Sequence, residues 1–87
     1  MTRDELRAVA LRVLGGIAPE ADLAALDPGA DLREWLDLDS MDFLNFLVGL
    51  HEATGIDVPE SDYARLSTLE ACVAYLAAAS GTNARPG

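Results

Sequence analysis

The chain has 87 residues, of which 51% are hydrophobic, and a formal charge of −9 from 15 acids against 6 bases. That length bounds it to one domain, and that apolar share excludes a disordered chain. A single cysteine excludes an internal disulfide, and the acidic balance argues against nucleic acid and anionic lipid as partners.

Thr2 and Glu5 stand at capping-box spacing, and Leu6, Val9, Ala10, Val13, Leu14 and Ile17 recur behind them at helical intervals. The pattern predicts a first helix that weakens at Gly15 and Gly16 and ends before Pro19. This opening mixes charged with apolar residues and lacks the unbroken apolar core of a signal peptide. No stretch of the sequence is long and apolar enough to enter a bilayer as a span. A cytoplasmic, monomeric protein is expected.

Ala18 to Leu38 is a long connection carrying Pro19, Pro28 and Gly29. Such a length in a compact domain requires anchoring. Leu23, Leu26, Leu32, Trp35, Leu36 and Leu38 are expected to pin it to the core. Leu32, Trp35 and Leu36, at i, i+3 and i+4 behind Asp31, predict a short helical turn.

A second long helix is predicted from about Ser40 to Ala53, stopping at Gly55. After "IDVP", a brief helical turn is expected near Ser61 to Leu66, carrying Tyr63 and Leu66. Ser67 and Glu70 read as another capping box, opening a last helix whose inner face is Leu69, Cys72, Val73 and Leu76. Residues 1–80 are expected to form the domain, and residues 81–87, which lack an apolar anchor, a flexible tail. No alternating strand pattern is present. The fold class predicted is all-α, a small four-helix bundle of three main helices and one short one, with a long first loop.

The second long helix is too apolar for one buried face. Phe43, Phe46, Leu47 and Leu50, with Ala53 or Thr54, are assigned to the core. Met41, Leu44 and Val48 are left at i, i+3 and i+7, beside Asn45, His51 and Glu52. A leftover stripe either meets a partner or lies beneath the long loop, which reaches Leu44 most easily. The partner reading is preferred, and a methionine suits a surface that accepts several partners. Between Glu20 and Asp62 the acids are opposed only by Arg33, a field that solubilises the chain and attracts basic protein surfaces.

Asp39 and Ser40 lie where the chain turns into this helix. Either residue type caps free backbone N–H groups, and most such residues do nothing else. One cap suffices. With Asp39 as the cap, the Ser40 hydroxyl is free to face solvent beside the positive end of the helix dipole, a favourable seat for an attached anion.

The ordered set Asp39, Ser40 and Met41, then Gly55, Ile56, Val58, Pro59 and finally Ser67-Thr68 resembles the acyl and peptidyl carrier proteins. The resemblance covers roughly Asp31 to Ala78, and the first helix agrees in length and placement. It implies a free-standing carrier rather than an enzyme, with 4′-phosphopantetheine on Ser40 and Asp39 helping to present that serine. It also implies a phosphopantetheinyl transferase, an acyl- or aminoacyl-loading ligase and downstream synthases as partners, in fatty-acid, polyketide or related specialised biosynthesis. Met41, Leu44, Asn45, Val48 and Glu52 would then form the docking face. Two departures stand out. Carrier proteins usually place Gly two residues before the Asp-Ser pair, where this chain has Asp37. Housekeeping fatty-acid carriers show a row of glutamates where this chain has Asn45 and His51, which favours a specialised carrier with a more apolar interface.

Other chemistry is poorly supported. A calcium loop starting at Asp37 fails at Met41, Asp42 and Val48. His51 is the only histidine, too few for a histidine-centred zinc site or a catalytic triad. Cys72 lies on an apolar helical stripe, where core packing is the expected role and nucleophilic catalysis the rival. A helical interaction module without a prosthetic group is the remaining alternative.

Overall fold

The computed structural model describes residues 1–81; the tail expected over 81–87 lies outside them except for Gly81, which ends the last helix. The chain forms α1 (Arg3–Ile17), α2 (Leu32–Trp35), α3 (Ser40–Thr54) and α4 (Leu69–Gly81), with 3-10 segments at Leu23–Ala25 and Glu60–Leu66. Among the described residues the only β pairing is an isolated bridge between Asp31 and Thr68. The architecture is all-α, as the periodicity predicted.

Each long helix begins and ends for a local reason. Thr2 caps α1 in a reciprocal box with Glu5, whose carboxyl is held below its usual range chiefly by the hydrogen bond from the Thr2 backbone N–H. Gly55 closes α3 in the left-handed region at φ 75°, donating its N–H to the His51 carbonyl at 2.7 Å. The predicted box at Ser67 and Glu70 is corrected by the structure. Thr68 is the capping hydroxyl, accepting from Ala71 N at 3.0 Å. The Ser67 carbonyl is already engaged by Leu32 N at 2.8 Å, so Ser67 stays with the preceding 3-10 segment and α4 starts one residue later.

The core is built from one face of each main helix. Leu6, Ala10 and Leu14 of α1, Phe46 and Leu50 of α3, and Cys72 and Leu76 of α4 are fully buried, together with Leu32 and Leu66. Fully burying one such side chain contributes roughly 1.5–3 kcal/mol. Of the two candidates at the end of α3, Thr54 is the half-buried one and Ala53 is exposed.

The long connection is held at both levels, by side chains and by backbone. Leu26, Leu32 and Leu38 are buried, and Leu23 and Leu36 pack against the core. Glu70 N, otherwise a free donor in the first turn of α4, donates to the Pro28 carbonyl at 2.9 Å. Trp35 does not serve as an anchor: it is 38% exposed. Helix α2 is a single turn, and the reversal just beyond it sends Leu38 into the core in its place.

Gly49 sits in the middle of α3, where glycine is a poor helix former. A Cβ there would lie 2.6 Å from Val13 Cγ1, so the missing side chain lets α1 approach α3. Gly49→Ala is expected to cost about 1–2 kcal/mol, because the overpacking outweighs the gain in helix propensity. Urea unfolding of Gly49→Ala, Val13→Ala and the double variant checks this. The double variant should be more stable than the sum of the two single effects predicts, and strict additivity would mean that the two residues do not meet in solution.

Candidate functional site

The passage from α2 to α3 sets the geometry of the serine. Helix α2 ends at Leu36, Asp37 adopts φ 55°, and Leu38 N donates back to the Arg33 carbonyl at 2.8 Å. This is the six-to-one bond of a Schellman turn, with an aspartate at the left-handed position that glycine usually holds. The departure noted at Asp37 therefore leaves the turn in place, since aspartate visits this region more readily than most residues. Leu38 is buried immediately afterwards, and Asp39 starts α3.

Asp39 caps the helix alone. Its Oδ1 accepts from Asp42 N at 2.8 Å, and Asp42 Oδ2 accepts from Asp39 N at 3.4 Å. This reciprocal pair is a capping box built from two aspartates, and the Asp-x-x-Asp spacing that encodes it was legible in the sequence. Ser40, as the first helical residue, is left exposed. Its Oγ accepts one hydrogen bond, from Arg33 Nη2 at 3.3 Å, and the Arg33 guanidinium lies 5.9 Å from the centroid of the Phe43 ring. Sequence reasoning did not connect Arg33 with Ser40; its isolation as the sole base between Glu20 and Asp62 was the available signal.

Ser40 and Arg33 open onto a cleft of about 510 Å³ whose floor includes Phe43 and Leu44 and whose far wall is Glu60, Tyr63, Ala64 and Ser67. That wall is fixed to α4. Tyr75 donates its hydroxyl to Asp62 Oδ2 at 2.7 Å, and Arg65 lies 5.0 Å over the Tyr75 ring and 3.9 Å from Asp62. The hydrogen bond to Asp62 is the main reason that the Tyr75 phenol is shifted upward.

The second stripe of α3 is where the periodicity left it. Met41 is 64% exposed, Leu44 40% and Val48 46%, with Asn45 and Glu52 exposed beside them. Leu44 borders the same cleft as Asp31 and Arg33 of the long connection and still keeps this exposure. His51 is also exposed, its Nδ1 lying 3.1 Å from the Ile56 carbonyl oxygen and 3.3 Å from Asp57 Oδ1. Cys72 is fully buried, and desolvation pushes its thiol up to about 12, so at neutral pH it is protonated and inert. Among the described residues no group of three or more histidines, cysteines and carboxylates could hold a metal ion.

Residues 4–76 match a family model described as a phosphopantetheine attachment site. The acyl carrier protein of Rubrobacter xylanophilus is 33% identical over 55 residues, which cover 63% of this chain and 68% of that protein. The solved structure of the acyl carrier protein from Enterococcus faecalis is similar in fold, with a TM-score of 0.74 at 22% identity over 91% of this chain and 99% of that one.

The left-handed residue before the site generates a stability prediction. Asp37→Gly should raise the free energy of unfolding by roughly 0.5–1 kcal/mol, because glycine adopts the positive φ without strain. Asp37→Val, β-branched and excluded from that region, should lower it by about 1 kcal/mol or more. Thermal and urea unfolding of both variants checks the pair, and equal stability in the two would contradict the left-handed turn.

Proposed function

Since the chain belongs to the acyl carrier protein family, whose members are carriers and not enzymes and bear a 4′-phosphopantetheine group, we propose that Ser40 is its attachment point. The observation that carries this reading is the exposed Ser40 hydroxyl, released from capping duty by Asp39 at the mouth of α3. The neighbouring groups suit the prosthetic group. A guanidinium stands beside the hydroxyl, and an open cleft leads away from it. When bound, 4′-phosphopantetheine supplies a terminal thiol that holds an acyl or aminoacyl cargo as a thioester.

The chain's own residues then divide the work. Ser40 Oγ gives up its proton and bonds to the pantetheine-side phosphorus as the pyrophosphate link of coenzyme A breaks and adenosine 3′,5′-bisphosphate leaves, in a reaction catalysed by a separate phosphopantetheinyl transferase. Asp39 keeps the first turn of α3 in place so that this oxygen faces outward. Met41, Leu44 and Val48, with Asn45 and Glu52 beside them, form the surface that meets the transferase, a loading ligase and downstream synthases. The surrounding acids steer basic partners toward that surface, an effect that weakens as salt rises. Apolar residues with Asn45 and His51, in place of a row of glutamates, favour specialised biosynthesis, polyketide or related, over housekeeping fatty-acid synthesis. The working form in this reading is a monomer in the cytoplasm; no helix among the described residues is long and apolar enough to cross a membrane.

Coexpression with a broad-specificity phosphopantetheinyl transferase tests the attachment. Intact-mass measurement should show the gain of one phosphopantetheine on the wild type and none on Ser40→Ala, whose melting should be nearly unchanged because Asp39 still caps the helix. An unmodified wild type would sink the reading. Leu44→Asp and Val48→Asp should slow the modification on the order of tenfold, with stability changed by no more than about 0.5 kcal/mol. Unaltered rates in both would exclude this stripe from docking.

A further inference from the structure

The placement of Arg33 goes beyond what attachment at Ser40 requires. Its neighbourhood is rich in carboxylates: Asp31, Glu34 and Asp37 line the same shallow surface cleft. Yet among the described residues Arg33 makes no ion pair, and its fork is spent on a neutral hydroxyl and on the face of Phe43. A guanidinium binds phosphate oxygens better than it binds a hydroxyl, because the acceptor is charged and two N–H groups can donate in parallel. A phosphodiester on Ser40 would also stand near Asp37, Asp39 and Asp42, a like-charge setting that needs a local cation. Arg33 is the only base between Glu20 and Asp62.

We infer that Arg33 is the clasp for the phosphodiester on Ser40: a positioning residue that binds its non-bridging oxygens and turns the arm toward the cleft over Phe43 and Leu44. This rests on attachment at Ser40. The non-bridging oxygens lie one tetrahedral edge from Oγ, and Nη2 is already 3.3 Å from Oγ, so a small rotation of the side chain makes the new bonds. Phe43 limits that motion by holding the guanidinium over its ring. Ser40 and Arg33 border the same cleft, so pairing on that side draws the first segment of the arm inward and away from bulk solvent.

The test compares unmodified and fully loaded protein, each as wild type, Arg33→Gln and Arg33→Lys, with loading verified by intact mass. Loading should raise the melting temperature of the wild type by on the order of 2–5 °C more than that of Arg33→Gln, the size expected of one exposed charge pair in a domain of this length. Arg33→Lys, which keeps the charge but not the fork, should fall between them. The ³¹P resonance of the loaded wild type should differ from that of Arg33→Gln at low salt and converge with it near 1 M salt. Complete loading with equal melting increments and coincident ³¹P resonances overturns the clasp and leaves attachment intact. A wild type that takes no phosphopantetheine overturns the attachment and the clasp together.

Discussion

The structure turns on the three residues between α2 and α3. Asp37 reverses the chain in a left-handed conformation, Leu38 drops into the core, and Asp39 engages the first turn of the next helix. Because Leu38 is buried on one side and Asp42 is capped on the other, Ser40 has little freedom in where it points. Its hydroxyl faces outward because a neighbour has taken the job a serine would ordinarily do. A cap is worth about 1 kcal/mol. Here it also decides which side chain is left exposed.

The same economy governs α3 as a whole. Phe43, Phe46, Leu47 and Leu50 belong to the buried core, while Met41, Leu44 and Val48 stay exposed. The exposed part of that stripe contributes nothing to folding, so the bundle draws most of its stability from the other face and from the pinned loop. Gly49 shows how closely that other face is packed, with Val13 lying where its side chain would be. Helix α3 thus has one face committed to the core and another left exposed. The acids that dominate between Glu20 and Asp62 add a long-range negative field.

Local rules made much of this legible. The capping box at Thr2 and Glu5, the stop at Gly55, the inner faces of the three main helices and the exposed stripe at Met41, Leu44 and Val48 all follow from spacing along a single helix. Misreadings arose where a second segment intervened. Ser67 had the composition of a helix cap, but Leu32, far away in sequence, claims its carbonyl, and Thr68 caps instead. Trp35 had the periodicity of an anchor, but its helix is one turn long and the reversal at Asp37 gives the buried place to Leu38.

The sequence by itself determined that a hydroxyl would stand at the start of an amphipathic helix, because caps and helical periodicity depend on neighbours a few residues away. Only the tertiary structure decided what stands around that hydroxyl. Arg33 reaches it because a Schellman turn folds α2 back beside α3, and the 3-10 wall of Glu60 to Leu66 faces it because Asp62 is tied to Tyr75 of α4. These contacts join residues that no fixed spacing relates, and they exist only once the loop and the bundle have closed on each other.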